Sequence, residues 1–192
     1  MSSERSSVRV VSVHRLTELY LRAELAGPGL AEVGLPGEPD EACVFHFPLP
    51  EGGFDEHGRW YTLRAVSPDR TRATIDLVRH EGGVGASWAR RAAVGDELGV
   101  SRANSWFRRP DDARWQVLVG DAAVLPALAR IVEESPPGLP TEVVVELPGD
   151  AALPPMPAGA MVRREQADAG TSRLPEIVAG LRPVSYTHLT LP

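Results

Sequence analysis

The chain has 192 residues, 43% of them hydrophobic, which suits one large domain or two small ones with a real core and excludes disorder as the default reading. Its formal charge of -6 argues against a nucleic-acid partner, because phosphate backbones are held chiefly by clustered Lys and Arg, and a small ligand is expected instead. No apolar run is long enough to span a bilayer, the opening Met1-Ser2-Ser3-Glu4-Arg5-Ser6-Ser7 lacks the apolar stretch of a signal peptide, and the single Cys43 excludes an internal disulfide. A cytoplasmic protein is expected.

In chain order, the first half predicts strands. The β-rich runs Val8 to Val13, Tyr20 to Leu25, Cys43 to Phe47, Arg59 to Val66 and Arg72 to Val78 are separated by Gly, Pro and Asp clusters. Several strands at such spacing predict a barrel or sandwich. Cys43, among Ala42, Val44 and Phe45, reads as a small buried hydrophobe. The Gly-rich stretch Gly82 to Ala89 follows, with a short helix expected over Arg90 to Ala93 and Ser87 as its N-cap. After about Trp115 the period changes. An apolar run to Val119 meets the turn Gly120-Asp121; Leu125, Leu128, Ala129 and Val132 then recur at helical spacing, and Val143-Val144-Val145 follows Pro136-Pro137-Gly138. This strand, helix, strand order predicts a parallel sheet whose ligands sit at the carboxyl ends of its strands, as in nucleotide-binding lobes. Met161-Val162-Arg163 and a helix over Leu174 to Leu181 sketch a third unit. Residues 184–192 share neither the composition nor the periodicity before them and are read as a non-native tail.

Chemistry-bearing residues are few. The five histidines, His14, His46, His57, His80 and His188, form no i, i+4 pair and no HExxH, so no protein metal site is expected. Neither a GxSxG elbow nor a P-loop is present. In Arg59-Trp60-Tyr61-Thr62-Leu63-Arg64, alternation places Arg59, Tyr61 and Leu63 on one face and Trp60, Thr62 and Arg64 on the other. Taken alone, this pattern favours an amphipathic strand with solvated arginines. A flavin site nevertheless uses the same residue types: a guanidinium fork for phosphate, an aromatic plane for the ring, a hydroxyl for ring nitrogens. The glycines of Gly82 to Ala89 let backbone approach a phosphate, yet such a turn is more often a plain connection. Gly120-Asp121-Ala122-Ala123 is no GxGxxG fingerprint, and Asp121 also suits a helix cap with Leu125 and Leu128 as core.

As an ordered set these segments resemble the siderophore-interacting protein family, FAD-dependent ferric-siderophore reductases of the ferredoxin-NADP reductase superfamily. Val8 to Val13, Ala26-Gly27-Pro28-Gly29-Leu30, Arg59-x-Tyr61-Thr62-x-Arg64, Asp76 to His80, Gly82 to Ala89, Val94-Gly95-Asp96 and Gly120-Asp121 to Ala129 carry the likeness, from about residue 8 to about 147. The resemblance implies a β plus α/β fold: an antiparallel FAD-binding β-barrel over residues 8–112, then an incomplete parallel α/β pyridine-nucleotide lobe over 113–183. It implies that Arg59 and Arg64 hold the FAD diphosphate or the ring edge, that Tyr61 and Thr62 meet the isoalloxazine, that the Ala86-Ser87 turn closes on the diphosphate, and that His80 lines the pocket. Asp76 is read as structural, and no residue is assigned a catalytic proton-transfer or metal-binding role. The implied activity is electron transfer from NADPH or NADH through FAD to a ferric siderophore, in a monomer without a membrane span; Trp106, Arg108 and Arg109 read as solvated surface residues, with a place beside the siderophore as the alternative. A general flavin reductase and a non-catalytic flavin- or siderophore-binding module are the alternatives. The sequence departs from the family pattern at Ala122-Ala123, where Glu-Thr is usual, and at Val100 to Asn104, where Gly-Pro-Arg is usual; the family's last strand and helix are missing.

Overall fold

The protein is described by a computed structural model that covers residues 5–167 and 171–180. Six antiparallel strands close a barrel in the order β1-β2-β5-β4-β3-β6. They are β1 (Ser6–Arg15), β2 (Tyr20–Ala26), β3 (Ala42–His46), β4 (Arg59–Val66), β5 (Arg72–Val78) and β6 (Glu97–Asn104). Alternation explains the closure. Val8 and Val10 of β1, Ala23 and Leu25 of β2, Cys43 and Phe45 of β3, Leu63 of β4, Ile75 and Leu77 of β5, and Leu98 and Val100 of β6 point into one core. Because β1 pairs with both β2 and β6, the barrel presents no free sheet edge. Burial pushes the Cys43 thiol up to about 12, so it is a neutral core group.

Residues from 105 onward lead into a second unit. Strands β7 (Gln116–Asp121), β8 (Thr141–Pro148) and β9 (Ala160–Ala167) form a parallel sheet in that order, and the crossover from β7 to β8 is helix α3 (Leu125–Glu133). The central β8 is buried on both faces, as its run Val143-Val144-Val145 requires, and the apolar side of α3 packs on it through Leu128, Ile131 and Val132. Tyr20 of the barrel joins a cluster with Leu125, Val145 and Leu147, so the two units share apolar packing.

The structure departs from expectation in three elements. The helix expected over Arg90 to Ala93 instead spans Val84–Ala89, and Ser87 lies inside it. Gly83, at φ 78°, turns the chain into this helix, and the Ser87 N–H already serves the Gly83 carbonyl. The helix is pulled forward because Trp88 enters the barrel core, where its Nε1 donates to Asp96 at 2.9 Å. Two elements went unread: a short helix at Gly29–Glu32 and strand β6, whose Gly99 and Ser101 interrupt the apolar pattern. In chain order the helices are thus α1 (Gly29–Glu32), α2 (Val84–Ala89), α3 and α4 (Leu174–Gly180). The expected terminal tail lies outside the described residues. No helix among the described residues is long and apolar enough to cross a membrane.

Candidate functional site

The start of β4 meets α2 at one end of the barrel. Tyr61 points inward and packs edge-on against Phe47, with ring centroids 5.5 Å apart, and against Phe45 at 6.5 Å. A Cβ placed on Gly85 would overlap Tyr61 Oη and crowd Phe47, so only glycine admits this approach of helix to ring. Burial pushes the Tyr61 phenol up, and the Arg59 charge opposes that shift in part. Arg59 is half-exposed; its Nη1 donates to the Gly58 carbonyl at 2.6 Å and lies 3.6 Å from the buried Asp55 carboxylate.

His80 stands just past β5, exposed, with Nδ1 3.0 Å from the Glu81 carbonyl. A Cβ on Gly83 would meet its ring at 3.8 Å, which places His80 beside the entry to α2. Arg90 ties the same corner together by donating to the His80 carbonyl at 2.8 Å and to Ser87 Oγ at 3.1 Å. Ala86 is buried in α2 beneath these groups. Arg79 Nε is buried and has no hydrogen-bond partner among the described residues, although its Nη1 reaches the Glu18 carbonyl at 3.3 Å. The Arg79 backbone N–H also donates to the Leu19 carbonyl, so the contacts given for Arg79 lie at the turn between β1 and β2. Arg59, Tyr61, His80, Ala86 and Ser87 are therefore gathered at one end of the barrel, with Thr62 next along β4.

Arg64 is placed elsewhere. Its Nη1 and Nη2 donate to the two carboxylate oxygens of Glu133, at 2.5 and 2.6 Å, under helix α3. Beside it Arg130, also on α3, donates to the Leu63 carbonyl at 2.8 Å and pairs with Glu41 at 3.0 Å and Glu134 at 2.6 Å. Asp76 binds Arg22 through two 2.7 Å hydrogen bonds on the same outer wall. At the carboxyl end of β7, Tyr20 Oη donates to the Ala122 carbonyl at 2.7 Å, while Asp121 Oδ1 accepts from the N–H groups of Ala123 and Val124. Asp121 thus anchors the turn that leads into α3.

A second face of β4 is open. Trp60 and Trp106, 43% and 49% exposed, meet edge-on at 5.3 Å, and the Arg102 guanidinium lies 5.7 Å from the centre of the Trp60 ring. Arg102 sits in the left-handed region at φ 41°, a conformation that costs a non-glycine residue strain. Asp40 Oδ2 holds the backbone N–H groups of Trp106 and Phe107, each at 2.7 Å, so this aromatic platform is fixed. Arg109 is tied into the second unit by Gln116 and Ser135, whereas Arg108 is exposed.

Sequence reasoning missed Glu41, Arg130 and Glu133. One signal was available: Arg130 interrupts the apolar run Leu128-Ala129-x-Ile131-Val132, and Glu41 precedes the fully buried β3. A charge inside an apolar face demands a buried partner.

Residues 46–104 match a family model described as the siderophore-interacting FAD-binding domain, and residues 113–185 one described as siderophore-interacting protein. The chain is 37% identical over 140 residues to the mycobactin import ATP-binding/permease protein IrtA of Mycolicibacterium smegmatis, covering 71% of this chain and 16% of that protein. It is 30% identical over 139 residues to the NADPH-dependent ferric-chelate reductase of Escherichia coli, covering 65% of this chain and 54% of the relative. A siderophore utilization protein from T. fusca superposes with a TM-score of 0.78 at 27% identity, over 97% of this chain and 80% of that one. The chain therefore spans about half of the reductase and a small part of the importer.

Proposed function

The chain belongs to the siderophore-interacting protein family, and from that membership we propose that it is an NADPH- or NADH-dependent FAD oxidoreductase that reduces ferric siderophores to release Fe(II). The observation that carries this reading is the corner built by β4 and α2. A flavin with a diphosphate needs cations, backbone that tolerates close approach and an aromatic wall. Arg59 is half-exposed, and Gly82 and Gly83 take φ of 88° and 78°, with open space beside Gly82. The residues present fit the group.

In this reading Arg59 meets the diphosphate, Tyr61 and Thr62 meet the isoalloxazine, and Ala86, Ser87 and His80 line the phosphate end. Bound FAD supplies the ability to accept two electrons as hydride and to pass them on singly. The protein's own task is placement. Tyr61 meets the ring as a neutral phenol, and burial moves its pKa still further above the ordinary value. The second unit, residues 113–183, receives the nicotinamide donor at the carboxyl ends of β7 and β8, where Asp121 orders the turn. The barrel, residues 8–112, presents the Trp60–Trp106 platform and Arg102 to the ferric chelate, an aromatic and cationic face suited to an anionic, ring-bearing ligand. Fe(II) binds oxygen-rich chelators less tightly than Fe(III), so reduction frees the metal. The same reading takes the protein as a cytoplasmic monomer with no nucleic-acid partner, in keeping with its charge of -6.

The test is reconstitution with FAD followed by anaerobic NADPH and then a ferric siderophore. A bound-flavin spectrum, bleached by NADPH and restored as Fe(II) appears in a colorimetric trap, is expected. Absence of a bound-flavin spectrum would sink the reading. Bound flavin that neither NADPH nor NADH bleaches would leave a non-catalytic module, and bleaching without faster iron release would leave a general flavin reductase.

A further inference from the structure

Arg64 has its fork closed. Only 10% of its side chain is exposed, and its two terminal nitrogens hold both oxygens of Glu133, so a cofactor phosphate would have to displace a bidentate carboxylate from beneath α3. It lies on the outer wall of the barrel, where α3 packs against β4 and Glu133 covers it. The strand explains why. The β4–β5 register shifts between Leu63 and Ala65, and such a bulge releases a backbone group from the ladder and re-aims the side chain beside it. The Leu63 carbonyl is satisfied instead by Arg130 of α3, whose remaining nitrogens are taken by Glu41 and Glu134. Glu41 is almost fully buried and also accepts from the Gly37 N–H at 2.8 Å, while its own carbonyl accepts from Leu63 N–H at 2.9 Å. The second unit thus grips the Leu63 carbonyl and the Arg64 side chain, while Glu41 of the barrel holds the Leu63 N–H, immediately after Thr62.

We propose that Arg64, although part of the Arg-x-Tyr-Thr-x-Arg motif, is a positioning residue that bolts β4 to α3 and makes no contact with FAD. The inference rests on the reading of β4 as the flavin strand. Its consequence is that the docking of the second unit sets the seat of Tyr61 and Thr62, so that flavin affinity and lobe contact are coupled through one ion pair. Glu133 then matters to FAD binding although it belongs to the other unit.

The test compares the wild-type chain with R64M, R64K, E133Q and the reversed pair R64E/E133R. FAD affinity is read from flavin fluorescence, the ring environment from visible circular dichroism, and lobe contact from protease cleavage within residues 105–114 without FAD. R64M and E133Q should each weaken FAD by about fivefold to tenfold, the size of one lost pair. They should also reduce the dichroism alike and speed linker cleavage, with the reversed pair restoring all three. A loss of about a hundredfold in R64M, with E133Q unchanged and no restoration on reversal, would make Arg64 a cofactor contact and overturn the proposal. R64K decides the matter if the reversed pair does not fold: it keeps the charge but loses the fork, so a loss equal to that of E133Q supports the bolt and wild-type affinity overturns it. If the wild-type chain takes no FAD, the flavin reading fails separately; the bolt then stands on linker cleavage, and equal cleavage in all variants removes it.

Discussion

Gly85 shows how a single residue shapes the candidate site. Its missing side chain is what lets α2 lie against Tyr61 and Phe47. Gly85→Ala should gain about 1 kcal/mol of helix propensity yet lose about 2 kcal/mol net, because a methyl group forced between helix and ring must displace one of them. Urea denaturation measures the stability, and FAD titration should show weakened binding; an unchanged midpoint would mean that the helix shifts without cost. The glycine-rich stretch was legible as a place of close approach. Which of its glycines is sterically required was not, since that depends on a tyrosine twenty-four residues earlier in the chain being folded against it.

At the scale of elements, α3 and β4 depend on each other through buried charge. Arg130 and Glu41 leave little surface exposed, so each depends on the other's charge, with Glu134, the Leu63 carbonyl and the Gly37 N–H completing their hydrogen bonds. Arg130→Met should cost about 4 kcal/mol by stranding Glu41, and adding Glu41→Gln should recover much of that loss. Chemical denaturation of the single and double variants checks both; additive losses would show that the pair is not coupled. Helix α3 itself was readable from its 3.6-residue spacing, and β4 from its alternation. The misplaced α2 shows the limit of such reading. Its boundaries are set by Trp88 seeking the barrel core and by Gly83 turning the chain, and local propensity alone places the helix too late.

For the whole molecule, two units joined by the buried Arg130–Glu41 pair, the half-exposed Arg64–Glu133 pair and a shared Tyr20 cluster should unfold together. Salt screens exposed charges strongly and buried pairs weakly. Calorimetry should therefore show one transition at both about 0.1 M and about 1 M salt, and two separate transitions at the higher salt would show that the interface does not couple the units. Alternation, helical spacing and turn residues are local properties, so the order of a strand-rich half before an α/β half, most strand positions and the make-up of Arg59 to Arg64 were legible along the chain. Packing between distant segments sets the rest: β6 closes the barrel, Arg59 and Tyr61 share a corner with α2 while Arg64 turns to Glu133, and Trp60 pairs with Trp106. These facts join residues far apart in the chain, and whether a strand arginine meets a phosphate or a carboxylate is settled by what packs against it.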